Sequence, residues 1–237
     1  MNPAHRQPAH AVRYDWGPTG AAAVSPGADV AVVVDVLSFT TTVCVAAERG
    51  VTVLPYLWQD ERAASYAESR SAALAVDRVR GLSPVAMARD VDVDRIVVPS
   101  PNGSSISFGL AEQGCTVVAA CLRNRSAVAD WLRSRGGTIA VVAAGERWPD
   151  GSLRPCAEDL WGAGAVLALL PPERLSTEAR VAVEAFRAVE ATLAESLHSC
   201  ASGLELEVAG FVEDVGLAAQ LDAADVVPVL VDGAFAP

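Results

Sequence analysis

Three polar segments carry the side chains with the clearest chemical use. The first reads DVLSFTTT over residues 35–42. The Asp35 carboxylate could hold a metal ion, act as a base or attack as a nucleophile. Thr40 and Thr41 would offer hydroxyls and free backbone N–H groups to an anion at a helix start. The same residues also read as a braced loop followed by a helix cap. The second segment, PSPNGSS over residues 99–105, pairs Asn102 and Gly103 in a turn that tolerates positive φ, with Ser104 as a hydroxyl donor. It reads as a phosphate cradle or as a plain turn with an N-cap. The third runs from Ala143 to Gly164, with Arg147, Arg154, Glu158 and Asp159. Adjacent acids near a helix start favour the helix dipole, and they could equally ligate magnesium or move protons. The two arginines could clamp an anionic substrate bidentately.

The elements that must position these segments alternate. Residues 29–36 (DVAVVVDV) form a nearly continuous apolar run, as expected of a strand covered on both faces. A helix is expected over 40–49, closed by Gly50 in a left-handed conformation. Further strands are expected over 51–57, 72–76, 95–98, 115–120 and 138–143. Helices are expected over 60–70, from the Asn102-Gly103 turn to Glu112, and over 126–135. This alternation predicts an α/β layered fold with a largely parallel sheet flanked by helices. Each polar segment then follows a strand, where open parallel sheets bind ligands. The last third is helix-rich. One helix is expected over 158–170, stopped by Pro171-Pro172, and a second over 177–198, with apolar residues at 182, 186, 189, 193 and 197 on one face. Two short helices around Gly210 and a final strand over 226–231 complete the chain. Gly162 and Gly164 imply close backbone packing, because glycine is costly in a helix. The chain reads as a single unit over 1–237, with 171–172 as the best internal break.

Composition narrows the function classes. The 237 residues include 18 basic residues, all arginine, against 29 acidic ones, for a net charge of −11. Absence of lysine excludes a Walker phosphate loop, a Schiff-base enzyme and a pyridoxal enzyme. The negative balance argues against a nucleic-acid partner, and no apolar run is long enough to span a membrane. Residues 1–11, with His5 and His10, are expected to be mobile and hold no apolar export signal. Five cysteines without a CxxC pair read as buried thiols in a reducing cytoplasm. With three histidines, a metal would be held by oxygen ligands, which points to Mg2+. His198 reads as a helix-face residue.

At these segments the chain resembles the 2-phosphosulfolactate phosphatase family, whose members share a DVLRATTT-like segment, a TTNGT-like turn and an AG…ED…GAG stretch. Here they read DVLSFTTT (35–42), PSPNGSS (99–105) and AAGERW…AEDLWGAG (143–164), followed by a matching C-terminal stretch from Ser202 to Leu230. The resemblance implies an α/β fold and magnesium-dependent hydrolysis of 2-phospho-3-sulfolactate to sulfolactate and phosphate, on the route to coenzyme M. It implies a site drawn from Asp35, Thr40, Thr41, Asn102, Gly103, Glu158, Asp159 and Asp214, with Asp35, Glu158 and Asp159 as catalytic and metal-holding acids. Phosphate would be held by Thr40, Thr41, Asn102, Gly103 and Ser104, and Arg147 or Arg154 would bind the substrate's second anionic end. The partner is a small anionic phosphorylated substrate, with self-association left open. Ser38 and Phe39 stand where the family has arginine and alanine, and Ser100 and Pro101 where it has threonines; the family's GFDxGNSP-like stretch is reduced to GLSP at 81–84. Two rival readings stand beside this one: a non-catalytic anion-binding relative, and a phosphatase for an unsulfonated phospho-acid.

Overall fold

The computed structural model describes residues 2–57, 61–76, 78, 82–89 and 92–236. The chain runs β1 (Val12–Trp16), α1 (Gly17–Val24), β2 (Val30–Val34), α2 (Phe39–Glu48), β3 (Thr52–Tyr56), α3 (Glu61–Ser69), β4 (Ala73–Leu74), α4 (Pro84–Arg89) and β5 (Arg95–Pro99). It continues through α5 (Gly103–Glu112), β6 (Thr116–Ala120), α6 (Arg125–Arg135), β7 (Ile139–Ala143) and a small ribbon of β8 (Glu146–Arg147) and β9 (Leu153–Arg154). The remainder is α7 (Ala157–Leu167), α8 (Thr177–Arg187), α9 (Leu193–Ser199), α10 (Ala201–Val208), α11 (Val212–Ala218), β10 (Val229–Val231) and β11 (Ala234–Ala236). Asp60, the expected start of α3, and Gly81 of the GLSP stretch lie outside the described residues.

The valine-rich strands form because both of their faces are covered. In β2, Val30, Val32 and Val34 enter one apolar core, and Ala31 and Val33 enter the other. β7 repeats the division, with Ile139, Val141 and Ala143 on one side and Ala140 and Val142 on the other. Alternation with period two therefore produces a three-layer α/β arrangement. α2 closes as expected, with Gly50 at φ 75°. Gly164 meets the second packing expectation: a Cβ there would lie 2.0 Å from the Ala182 carbonyl oxygen of α8.

Among the described residues, nine strands make one sheet in the order β1-β7-β2-β6-β10-β11-β3-β5-β4. Two blocks are parallel internally, β1-β7-β2-β6 and β3-β5-β4. The C-terminal hairpin joins them through three antiparallel pairings. Three reversals make the blocks run opposite to each other. In a flat sheet, β2 and β5 would be five spacings apart, about 24 Å, with their carboxyl ends on opposite edges. Yet Asp35, just after β2, accepts a hydrogen bond from the Gly103 amide, just after β5, at 3.1 Å. The sheet is therefore not flat, and each block meets the hairpin through a single residue pair, Val118↔Val229 and Val53↔Phe235. The Asp35–Gly103 bond joins the polar segments that follow β2 and β5.

Several expectations are corrected. The start of the chain is built in: residues Pro3–Arg6 form a 3-10 turn, and the buried Gln7 side chain bonds the Tyr14 carbonyl at 2.8 Å and amide at 3.0 Å. The expected helix over 177–198 is two helices, α8 and α9, divided by a 3-10 turn at Glu190–Thr192. Phe186, Leu193 and Leu197 stay buried across the break. β-branched Val189 and Thr192 weaken the helix there, while one tight turn barely disturbs the apolar periodicity. The final strand shortens to β10 and is followed by a second, β11. Among the described residues, no helix is long and apolar enough to cross a membrane. All five cysteines are buried and unpaired.

Candidate active site

Asp35 is buried where two helices begin. Its Oδ1 accepts the Phe39 amide of α2 at 3.1 Å, and its Oδ2 accepts the Gly103 amide of α5 at 3.1 Å. Helix starts present N–H groups and a positive dipole end, which explains why a carboxylate sits between them. The turn from β2 to α2 uses its own hydroxyls: Thr40 Oγ1 donates to the Asp35 carbonyl at 2.8 Å, and Thr41 Oγ1 to the Val36 carbonyl at 2.7 Å. Ser104 Oγ donates to the Val98 carbonyl at 3.3 Å. In this structure the three hydroxyls brace the backbone that places Asp35.

Gly103 is helical, and Asn102 has φ −105°, so the turn does not use the positive φ expected for it. Glycine is required there by close approach. A Cβ at Gly103 would lie 2.2 Å from Phe39 Cδ1 and 2.9 Å from Asp35 Oδ2.

The adjacent acids on α7 diverge. Asp159 joins the ends of β2 and β7: Oδ1 accepts the Val36 amide at 2.7 Å and Oδ2 the Gly145 amide at 2.8 Å. Glu158 accepts the Cys200 thiol at 3.4 Å and lines a separate cavity of about 420 Å³ with Arg154, Cys156 and Trp161. Arg154 bonds Ser202 and Glu205 there, both at 3.4 Å. Among the described residues, no three acidic, histidine or cysteine side chains gather to hold a metal ion. The expected triad of Asp35, Glu158 and Asp159 is thus close enough to interact electrostatically but does not converge on one point. Successive helix residues point about 100° apart, which sends Glu158 and Asp159 to different partners in this structure.

Burial pushes the Asp35 carboxyl up to about 7, with the Glu146 and Glu158 charges adding to the rise and the Phe39 and Gly103 amides opposing it. Asp159 is also raised, by burial first and then by Asp35 and Glu158. A buried acid with this bias favours a cation or a proton.

Two cavities open beside Asp35. One, of about 160 Å³, is lined by Asp35, Ser38, Arg78, Ser100, Asn102 and Glu146. The other, of about 220 Å³, is lined by Thr19, Ala144, Arg147 and Leu153, and again by Asn102 and Glu146. Asn102 and Glu146 therefore form the wall common to both. Of the two expected arginine clamps, Arg147 faces this cleft and Arg154 does not. Asp214 of α11 is buried and reaches the site through Arg78, accepting its Nε at 3.1 Å, the Val85 amide at 3.2 Å and the Ser83 hydroxyl.

Sequence reasoning did not single out Arg78 and Glu146. Arg78 also donates to the Ser38 hydroxyl, so a guanidinium from another segment comes to the position where the family carries an arginine. Its partners lie 40 and 136 residues away in the chain, and no local spacing could announce them. Glu146 lay in view beside Arg147, in the loop after a predicted strand, which was the one available signal.

Comparison with known proteins sets the class. The chain belongs to a family of phosphoric monoester hydrolases: the family model for 2-phosphosulpholactate phosphatase matches residues 22–233, a span that includes every residue named above as lining the 160 Å³ cavity. A probable 2-phosphosulfolactate phosphatase of Deinococcus radiodurans is 32% identical over 223 residues, covering 88% of this chain and 90% of the relative. One from Thermotoga petrophila is 30% identical over 213 residues, covering 86% and 90%.

Proposed function

We propose that this chain hydrolyses 2-phospho-3-sulfolactate to 3-sulfolactate and inorganic phosphate, with magnesium, in the cleft between Asp35, Asn102 and Glu146. The observation that carries the reading is the Asp35 carboxylate, buried against two helix starts and raised by burial and neighbouring acids, at the wall of a cavity that also holds an arginine. Family membership and the two relatives named for this activity support the substrate.

The donor set fits magnesium. Mg2+ takes oxygen ligands and commonly uses one or two protein carboxylates, completing its shell with water and substrate phosphate. Asp35, with the Asn102 side-chain oxygen, would hold it, and the raised carboxyl marks a position that gains by binding a cation. When bound, the ion would neutralise charge on the phosphoryl oxygens.

The chain's own residues do the rest. The start of α5 and the Asn102 side chain orient the phosphoryl group through N–H donors. Glu146, which faces both cavities, accepts a proton from the attacking water. The water oxygen bonds phosphorus as the ester P–O bond breaks, and the proton returns to the leaving alkoxide. Asp159 holds the ends of β2 and β7 together beneath this arrangement. The expected roles of Glu158 and Arg154 are not used, because both line the other cavity. To test the substrate, purified protein with magnesium is offered phosphosulfolactate, phospholactate and phosphoglycerate separately. Preference for phosphosulfolactate is expected; equal turnover of all three would replace it with a broader phospho-acid phosphatase.

A further inference from the structure

We propose that Arg78 is the residue that binds the second, non-transferred anion of the substrate, and that Asp214 is the positioning residue that aims it. The proposal rests on the phosphatase reading for the identity of the substrate, and on the cavity geometry for the residue.

Among the described residues lining the 160 Å³ cavity, which it shares with Asp35, Asn102 and Glu146, Arg78 is the cation. A doubly anionic substrate placed with its phosphoryl group at Asp35 and α5 would meet Arg78 in the same cavity, beside Ser38. The guanidinium is held on three sides. Its Nε bonds Asp214 at 3.1 Å, an Nη bonds the Ser38 hydroxyl, and its Cζ lies 5.4 Å from the centre of the Phe211 ring. An arginine fixed in this way loses little further freedom when it grips a carboxylate or sulfonate through its planar fork.

A purely structural role, neutralising Asp214, explains less. Asp214 is 1% exposed and also accepts the Ser83 hydroxyl and the Val85 amide, whereas the Arg78 side chain is 24% exposed and lines the cavity. The carboxylate is the buried brace, and the guanidinium is the part presented to a ligand. Asp214 also anchors α11 to the start of α4, so the same ion pair ties the clamp to the fold. Arg147, on the other side of the Asn102–Glu146 wall, lines a cavity that does not include Ser38 or Arg78. The two arginines therefore serve different ends of the cleft.

The test compares wild type, Arg78→Gln, Arg78→Lys and Asp214→Asn. Each is assayed on phosphosulfolactate and on glycerol 2-phosphate, a monoester without a second anion. Binding of 3-sulfolactate, which needs no turnover, is measured by calorimetry. Loss of a charge-assisted pair predicts that Arg78→Gln raises KM for phosphosulfolactate about 10- to 100-fold. Its loss on glycerol 2-phosphate should be at least about tenfold smaller. Arg78→Lys should recover only part of the affinity, because the fork is gone. Asp214→Asn should raise KM several-fold with kcat largely kept, a split that general loosening of the fold would not produce. Equal losses on both substrates, or unchanged 3-sulfolactate binding in a variant with wild-type melting temperature, would overturn the proposal. Arg78-dependent 3-sulfolactate binding by a wild type that releases no phosphate would sustain the assignment and sink the hydrolytic reading.

Discussion

Gly103 is the sharpest single point of stress in the site. Adding one methyl group there, Gly103→Ala, places a Cβ 2.2 Å from Phe39 Cδ1 and 2.9 Å from Asp35 Oδ2. Phe39 is buried, packs edge-on against Phe235 at a centroid distance of 6.2 Å, and otherwise borders the 160 Å³ cavity, so the ring yields only by disturbing that packing or filling the cavity. Either α5 backs away and loses the 3.1 Å amide bond to Asp35, or the two rings shift. Overpacking costs about 1–3 kcal/mol, and a hydrogen bond to a charged group about 1.5–3 kcal/mol. A loss of about 3 kcal/mol is expected where the two costs partly substitute for each other. Gly109 supplies the control within the same helix. A Cβ there meets nothing within 4 Å, so Gly109→Ala should gain about 0.5–1 kcal/mol from helix propensity. Urea unfolding of both variants reads the difference directly, and phosphatase assays read the effect on Asp35. A Gly103→Ala protein within about 1 kcal/mol of wild type, with activity intact, would refute the reasoning.

The raised Asp35 carboxyl makes stability depend on pH. Its folded value, about 7, lies above the usual 3.8, so the folded chain holds the proton more tightly than the unfolded one. That contribution is complete below about pH 4 and is lost as pH rises towards 7, up to roughly 4 kcal/mol at about 1.4 kcal/mol per pH unit. With chelator present, wild type should therefore lose stability relative to Asp35→Asn over this window; a constant difference in urea unfolding would contradict the burial argument. Magnesium should raise the melting temperature of wild type more at pH 8 than at pH 5, because it competes with that proton, and should do little for Asp35→Asn. Equal shifts in both proteins, read by thermal melting, would place the ion elsewhere. Gly164→Ala drives a Cβ to 2.0 Å from the Ala182 carbonyl, so a loss of about 3 kcal/mol is expected from overpacking between α7 and α8; an unchanged urea midpoint would contradict that packing.

The layered fold was legible because burial on both sheet faces writes continuous valine runs, as in Val30–Val34, and helices between them close on glycine or proline. β1 and α1 were not. β1 reads VRYDW, and its Arg13 is buried by bonding the carbonyls of Val24 and Pro26, so a charged side chain sits where the pattern demands an apolar one. α1 begins Gly-Pro and looks like a loop until its partners are known. The opposed direction of the two sheet blocks was also hidden, because it is set by a hairpin more than a hundred residues from both β3 and β6. In the site, Asp35, Asn102 and Gly103 could be named from strand-end placement. Which of the adjacent acids turns inward could not, since helix phase depends on how α7 packs, and the Arg78–Asp214 pair is a tertiary contact with no local trace.

The account turns on Asp35 being the acid at which phosphate is released. The direct measurement is the rate of inorganic phosphate release from 2-phospho-3-sulfolactate, with saturating magnesium, by purified wild type and by Asp35→Asn. Asn would present an N–H donor to an amide that now donates to carboxylate, and it cannot carry the charge. Magnesium-dependent release by wild type, reduced at least about a hundredfold in a folded Asp35→Asn protein, is the predicted result. No release by wild type, or full turnover by Asp35→Asn, would contradict it.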